Sequence, residues 1–230
     1  MTPEIQTGRV FDSIKKSALI SGRKQSDITV VAVTKAFPVS LMNSAYEAGF
    51  SILGESRVQE TEKKLPEFKY LEKSELHLIG HLQSNKVKKA IEIYDVIQSV
   101  DSIKIAGKIN RVAALAGKSQ KVFLQVNTGN DPAKHGYLKD DALAAVNAII
   151  ELENISLLGL MVVAPLTNDE KSLRKVFSET RILRDKIRNS ICPTCKMLSM
   201  GMSGDFSIAI EEGATHVRIG SALFGERPQW

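Results

Sequence analysis

From Ile28 onward the chain alternates between short apolar runs and stretches with helical spacing, and this alternation restricts the fold more than any other feature. The runs are ITVVAVT (28–34), SILGE (51–55), LHLIG (76–80), DVIQSV (95–100), KVFLQVN (121–127), ISLLGLMVV (155–163), MLSM (197–200) and THVRIG (215–220). Their near-continuous apolar character marks strands buried on both faces. Between them, Leu41, Ala45 and Ala48 outline a helix, residues 56–71 a charged helix, and 84–93 a third. Ile103, Ala106, Ile109 and Ala113 share a fourth helical face, residues 138–152 and 169–189 read as long helices, and 205–212 as a short one. Eight β-α units in about 200 residues predict an α/β fold, a compact TIM-like (β/α)8 barrel. A doubly wound open sheet is the alternative, though such sheets more often hold about five to seven strands. Val10, Phe11, Ile14 and Ala18 add a helix over residues 3–21, ahead of the first strand. No linker or composition shift divides the chain, so one domain over residues 1–230 is expected.

Composition narrows the class. The chain is 43% hydrophobic and 25% charged, as a globular protein requires. The longest apolar stretch, ISLLGLMVVAP, falls short of the roughly 20 residues that span a bilayer. The first 20 residues carry no signal-peptide core, so a cytoplasmic protein without a membrane role is expected. A net charge of +5 favours anionic ligands, but the cations are scattered. The one tight cluster is Lys86, Lys88 and Lys89, and aromatic RNA-binding motifs are absent, which argues against a nucleic-acid partner. The two cysteines form a CPTC motif, Cys192 and Cys195, after a helix and before a strand. A redox pair would follow a strand and open a helix, and no second pair completes a zinc site, so these read as loop thiols.

In a (β/α)8 barrel the chemistry sits at the C-terminal ends of the strands. These ends supply Thr34-Lys35, then Gly54-Glu55-Ser56-Arg57, then Gly80-His81 with Gln83, Ser84, Asn85 and Lys86. Asn127, Lys134 and Gly136 follow the fifth strand, Met161 lies on the sixth, and SMGMSGD (199–205) and VRIGSALFG (217–225) close the series. The last two suit an anion. Gly201 and Gly204 allow close backbone approach, Ser203 offers a hydroxyl, and Gly220-Ser221 opens a short helix with free N–H groups. They can also be read as ordinary turn glycines, but two such loops on adjacent strands favour a phosphate site. Lys35, in a desolvated cationic pocket beside that site, can act as an amine nucleophile. Pyridoxal 5′-phosphate (PLP) meets both requirements, its aldehyde taken by the lysine and its phosphate by the loops. The competing reading of Lys35 is a strand-end lysine reaching to solvent.

The stretches VAVTKAFP (31–38), GESRVQE (54–60), LHLIGHLQSNK (76–86), LGLMVVAP (158–165) and LSMGMSGDFSIAIEEGATHVRIGSALFGER (198–227) together resemble the pyridoxal phosphate homeostasis protein family. That family is similar to the barrel domain of alanine racemases, the fold-type III PLP proteins. The resemblance implies that Lys35 holds PLP as an aldimine and that Ser203, Gly204, Gly220 and Ser221 bind its phosphate. It implies that Arg218 faces the pyridine nitrogen, that Met161 and Asn85 lie near the cofactor or pocket mouth, and that Lys134 fills a basic position. Ser56 stands where the family usually has asparagine. His77 and His81 are spaced i,i+4, but across a strand end rather than on a helix, so no metal site is expected in this chain.

The same resemblance separates a carrier from a catalyst. A guanidinium is donor-only and stays charged, so Arg218 would keep the pyridine nitrogen unprotonated and the ring a weak electron sink. Two-base racemisation needs an acid/base on each cofactor face, and the racemase's second domain, which supplies a tyrosine, has no counterpart in this chain. Tyr46, Tyr70 and Tyr94 fall on helical faces, and Tyr137 alone is near a strand-end loop. The expected function is therefore PLP binding in vitamin B6 and amino-acid homeostasis, without robust catalysis, by a monomer that passes PLP to apoenzymes. A weak PLP-dependent amino-acid racemase is the alternative, and an interaction protein using the Lys86–Lys89 face is a third reading.

Overall fold

Each apolar run becomes a strand because both of its faces find apolar partners. The computed structural model describes residues 5–226. It contains β1 (Thr29–Val33), β2 (Ile52–Glu55), β3 (Glu75–Leu78), β4 (Val96–Val100), β5 (Gln120–Val126), β6 (Ile155–Val162), β7 (Met197–Met202) and β8 (His216–Ile219). Every strand pairs in parallel with the next, and β8 returns to β1 through the register Thr29↔His216 to Ala32↔Ile219. The sheet is a closed (β/α)8 barrel, and closure leaves no unpaired edge, which excludes the open-sheet alternative.

The helices are α1 (Thr7–Ile20), α2 (Val39–Glu47), α3 (Val58–Lys64), α4 (Val87–Ile93), α5 (Ile103–Leu115), α6 (Lys139–Ile150), α7 (Glu170–Ser190), α8 (Phe206–Glu211) and α9 (Ser221–Phe224). Between strands and helices runs the larger core, to which β1 contributes Ala32, β4 Ile97 and Val100, and β8 Val217 and Ile219. The alternate residues point into the barrel, where Val96, Phe123 and Met161 form a separate apolar cluster. α1 presents Val10, Ile14 and Ala18 to the core and is tied to the last helix by the Gln6 N–H donating to the Leu223 carbonyl at 2.8 Å. Residues 3 and 4 of its expected span lie outside the described residues.

Two predicted helices are shorter than their charge pattern suggests. The one expected over 56–71 stops at Lys64, and two 3₁₀ turns, Leu65–Glu67 and Leu71–Lys73, follow. Pro66 has no N–H to continue the ladder and its ring crowds the preceding turn. The one expected over 84–93 begins as a 3₁₀ turn, Ser84–Lys86, before α4. Among the described residues no helix is long and apolar enough to cross a membrane.

Candidate functional site: a cup at the barrel mouth

Lys35 lies two residues beyond the end of β1, where the chain must turn from strand into α2. The turn is held from below. The Thr34 hydroxyl donates to Glu55 Oε1 at 2.7 Å, and Lys64 Nζ donates to the same oxygen at 3.0 Å and to the Thr34 carbonyl at 3.2 Å. Ala36, with φ of 60°, takes the left-handed conformation, a strain of order 1 kcal/mol for a residue with a Cβ. Its N–H donates to Glu60 Oε1 at 2.7 Å, and Glu60 is ion-paired with Lys64 at 2.7 Å. Against a burial penalty, Lys64 and that amide hold the Glu60 carboxyl below the usual range. Glu55 is fully buried and its Oε2 has no partner, and burial raises its pKa against the pull of Lys64 and Thr34.

Half-buried Lys35 lines a cup of about 320 Å³ together with Val33, Ile79, Val163, Met202, Ser203, Gly204, Arg218, Gly220 and Ser221. The β7 and β8 loops meet there as the sequence predicts. The N–H groups of Gly220 and Ala222 both donate to the Ser203 hydroxyl, at 3.2 and 3.1 Å, so two backbone donors converge on one point. Gly201, with φ of 92°, makes the loop possible, because a Cβ there would stand 2.6 Å from Ala209 Cβ. At Gly204 a Cβ would meet nothing within 4 Å, so the wall is open at that residue.

Arg218 forms part of the cup and is rigidly held. Its Nη1 donates to the Ser199 carbonyl and hydroxyl, both at 2.8 Å, and its Nη2 to the Val162 carbonyl at 2.8 Å. Burial lowers its pKa to about 10, opposed by Asp205, so it remains a cation at neutral pH. From it a one-way chain of donors crosses the barrel. Ser199 donates to Gln98 Oε1 at 2.6 Å, and Gln98 Nε2 donates to His77 Nδ1 at 2.7 Å. His77 therefore carries its proton on Nε2 and donates to Glu75 at 3.0 Å. That bond holds the Glu75 carboxyl below the usual range.

Other sequence candidates fall elsewhere. Met161 is buried with Val96 and Phe123 beneath the cup, and Val163 takes the wall position on the same side of the strand two residues on. Asn85 is exposed in the 3₁₀ turn and lines neither the cup nor the neighbouring pocket. That second pocket, of about 440 Å³, is formed by Ser56, Arg57, Val58, Gln59, Gly80, His81, Gln83 and Lys86. The basic cluster is dispersed: Lys86 lines this pocket, while Lys89 pairs with Glu62 at 3.1 Å and Glu92 at 2.8 Å. Asn127 organises the β5 loop by donating to the Asp131 and Lys134 carbonyls at 2.8 and 3.4 Å. The cysteines lie in the loop between α7 and β7, as expected, with both side chains packed into the core, and burial pushes the Cys195 thiol up to about 12. His77 and His81 do not meet: one is inside the barrel, while the other, 44% exposed, bonds to Asp101 at 2.9 Å. Tyr137 is not a cup residue; burial and nearby Asp101 push its hydroxyl up to about 12. Sequence reasoning missed the apolar wall of Val33, Ile79, Val163 and Met202, whose signal is inward register on strands already recognised.

A closed (β/α)8 barrel with one lysine, one buried arginine and converging backbone donors at its C-terminal mouth defines a class of anion-binding barrel with an amine at hand. The family model described as alanine racemase, N-terminal domain, matches residues 17–228. A pyridoxal phosphate homeostasis protein of Aquifex aeolicus is 37% identical over 219 residues, covering 95% of this chain and 96% of that protein. PipY of Synechococcus elongatus PCC7942, solved with PLP bound, superposes with a TM-score of 0.82 at 36% identity, covering 92% of this chain and 100% of PipY. An unknown protein from Bifidobacterium adolescentis superposes with a TM-score of 0.91 at 35% identity, covering 95% of this chain and 93% of the other. The chain belongs to the pyridoxal phosphate homeostasis protein family, within the group built on the alanine racemase N-terminal domain.

Proposed function

We propose that this protein binds PLP in the cup and serves intracellular PLP and amino-acid homeostasis, with little catalysis of its own. The observation that carries the reading is the meeting of Lys35, Arg218, the Ser203 hydroxyl and the Gly220–Ser221 turn in one cavity of about 320 Å³. When bound, PLP supplies a reactive aldehyde and a conjugated pyridine ring. Lys35 is the amine that takes the aldehyde carbon in a reversible covalent link. Ser203, Gly204, Gly220 and Ser221 hold the phosphate, and Arg218 donates toward the ring nitrogen and opposes its protonation. PLP itself, handed on to apoenzymes, is the proposed cargo.

The titratable side chains of the cup lining are Lys35 and Arg218 alone among the described residues. A charged guanidinium is a poor proton acceptor, so a racemase reading would need a second base brought from outside the cup. The balance favours a carrier. Borohydride reduction after incubation with PLP, followed by peptide mapping, tests the anchor. The expected result is PLP fixed on the Lys35 peptide and no fixation in Lys35→Ala. Fixation on another lysine, or none in the wild type, overturns it. Deuterium exchange at the α-carbon of amino acids at about 1 per second or faster would overturn the carrier reading.

A further inference from the structure

The loops after three consecutive strands, β3, β4 and β5, carry a second cluster, distinct from the cup. Sequence spacing pairs His81 with His77, but the fold brings it to Asp101 and His135 instead. His81 Nδ1 lies 2.9 Å from Asp101 Oδ2, and His135 Nδ1 lies 3.7 Å from the same oxygen. The imidazole centroids lie 4.4 Å apart with the rings 17° from parallel, and one ligating atom from each of the three residues falls within 4.8 Å of the others, so one ring has to turn about its Cβ–Cγ bond to aim its lone pair at a shared ion. Zinc–nitrogen and zinc–oxygen bonds of about 2.0–2.2 Å in tetrahedral geometry set neighbouring ligand atoms ~3.4 Å apart. The observed 2.9 and 3.7 Å bracket that edge.

The three backbones are fixed independently. The Gly80 carbonyl, preceding His81, accepts from the Ser99 hydroxyl at 2.6 Å. Asp101 is followed by Ser102, the cap of α5, whose hydroxyl accepts from the Ile105 N–H at 3.4 Å. The His135 carbonyl accepts from Gln125 Nε2 at 3.0 Å, and the Tyr137 N–H returns to the Gln125 carbonyl at 2.9 Å. Burial is graded to suit a ligand site reached from outside. The Asp101 side chain is only 9% exposed, whereas those of His81 and His135 are 44% and 62% exposed.

We propose that His81, Asp101 and His135 form a binding site for one divalent transition-metal ion, zinc by preference, with a coordination position left for water or a ligand. Two imidazoles and one carboxylate are the donor set that borderline ions such as zinc select over magnesium or calcium. The carboxylate offsets half of the ion's charge, and both imidazoles are neutral when they ligate. This assignment is independent of PLP binding in the cup, and it departs from the sequence expectation of no metal, because the fold gives His81 partners other than His77.

The test is zinc titration by calorimetry of the untagged full-length protein as purified, after chelator dialysis. One ion per chain is expected. His81→Ala and His135→Ala, both at exposed positions, and Asp101→Asn should each weaken binding at least about tenfold, since loss of even an outer-shell partner does so. Zinc should also protect both exposed imidazoles from diethylpyrocarbonate. No zinc uptake, or uptake that all three variants retain at wild-type affinity, overturns the proposal and leaves the trio a hydrogen-bonded His–Asp cluster.

Discussion

Lys64 shows how single residues set up the mouth of the barrel. Its side chain is 10% exposed and pairs with fully buried Glu55 at 3.0 Å. Removing one member of such a pair leaves a buried charge uncompensated, so Lys64→Met is expected to lose about 3–5 kcal/mol in urea unfolding. Removing both, in Lys64→Met with Glu55→Gln, should recover part of that loss, because the buried carboxylate goes with its partner while Glu60 still lacks its cation. His216 makes a second prediction at this scale. Burial, with His77 beside it, lowers its pKa to about 4, so it is neutral in the folded barrel at pH 7. Glu75 opposes that shift and Arg218 adds to it. Between about pH 6.5 and 4 the unfolded chain binds a proton that the folded chain does not. Stability is therefore fully present above that window and falls as pH drops through it, by up to about 3 kcal/mol. His216→Gln should flatten this part of the curve of unfolding free energy against pH.

At the scale of elements, the β6–β7 pair depends on one glycine. A Cβ on Gly159 would stand 1.9 Å from the Met197 carbonyl oxygen, so the strands approach more closely than any side chain allows. Gly159→Ala must push two barrel strands apart, and a loss of about 3 kcal/mol or more, or failure to fold, is expected from denaturant melts. Gly107, inside α5, is the contrast: nothing lies within 4 Å of its Cβ direction. Gly107→Ala should raise stability by about 0.5–1 kcal/mol in the same experiment, through helix propensity alone. The two glycines look alike in the sequence, and only the neighbouring strand distinguishes them.

For the whole molecule, the cup draws on β1, β3, β6, β7 and β8 together, so its geometry exists only when the barrel is closed. A ligand there binds the folded chain and not the unfolded one. PLP at about 100 times its dissociation constant should add about 2.7 kcal/mol and raise Tm by roughly 5–10 °C, read by thermal melts with and without PLP. Lys35→Ala should lose most of that rise while keeping its own melting point near the wild type, because Lys35 is a half-buried strand-end residue.

The fold and the centre of the cup were legible in the sequence. Strand periodicity needs only local residue order, and it marked all eight strands of the barrel. The glycine-rich turns and Lys35 were legible for the same reason, since turn chemistry and strand ends are local properties. What lay beyond reach was everything that depends on which distant strand ends face one another. The linkage of Arg218 through Ser199 and Gln98 to His77 joins four strands, and no spacing encodes it. Met161 lies on β6 and Val163 just past its end, so position relative to the barrel mouth, not residue type, puts Val163 in the cup wall. His81, Asp101 and His135 are far apart in the chain and adjacent only because β3, β4 and β5 are neighbours in a closed sheet. Local patterning determined the elements, and the closure of the barrel decided which side chains share a site.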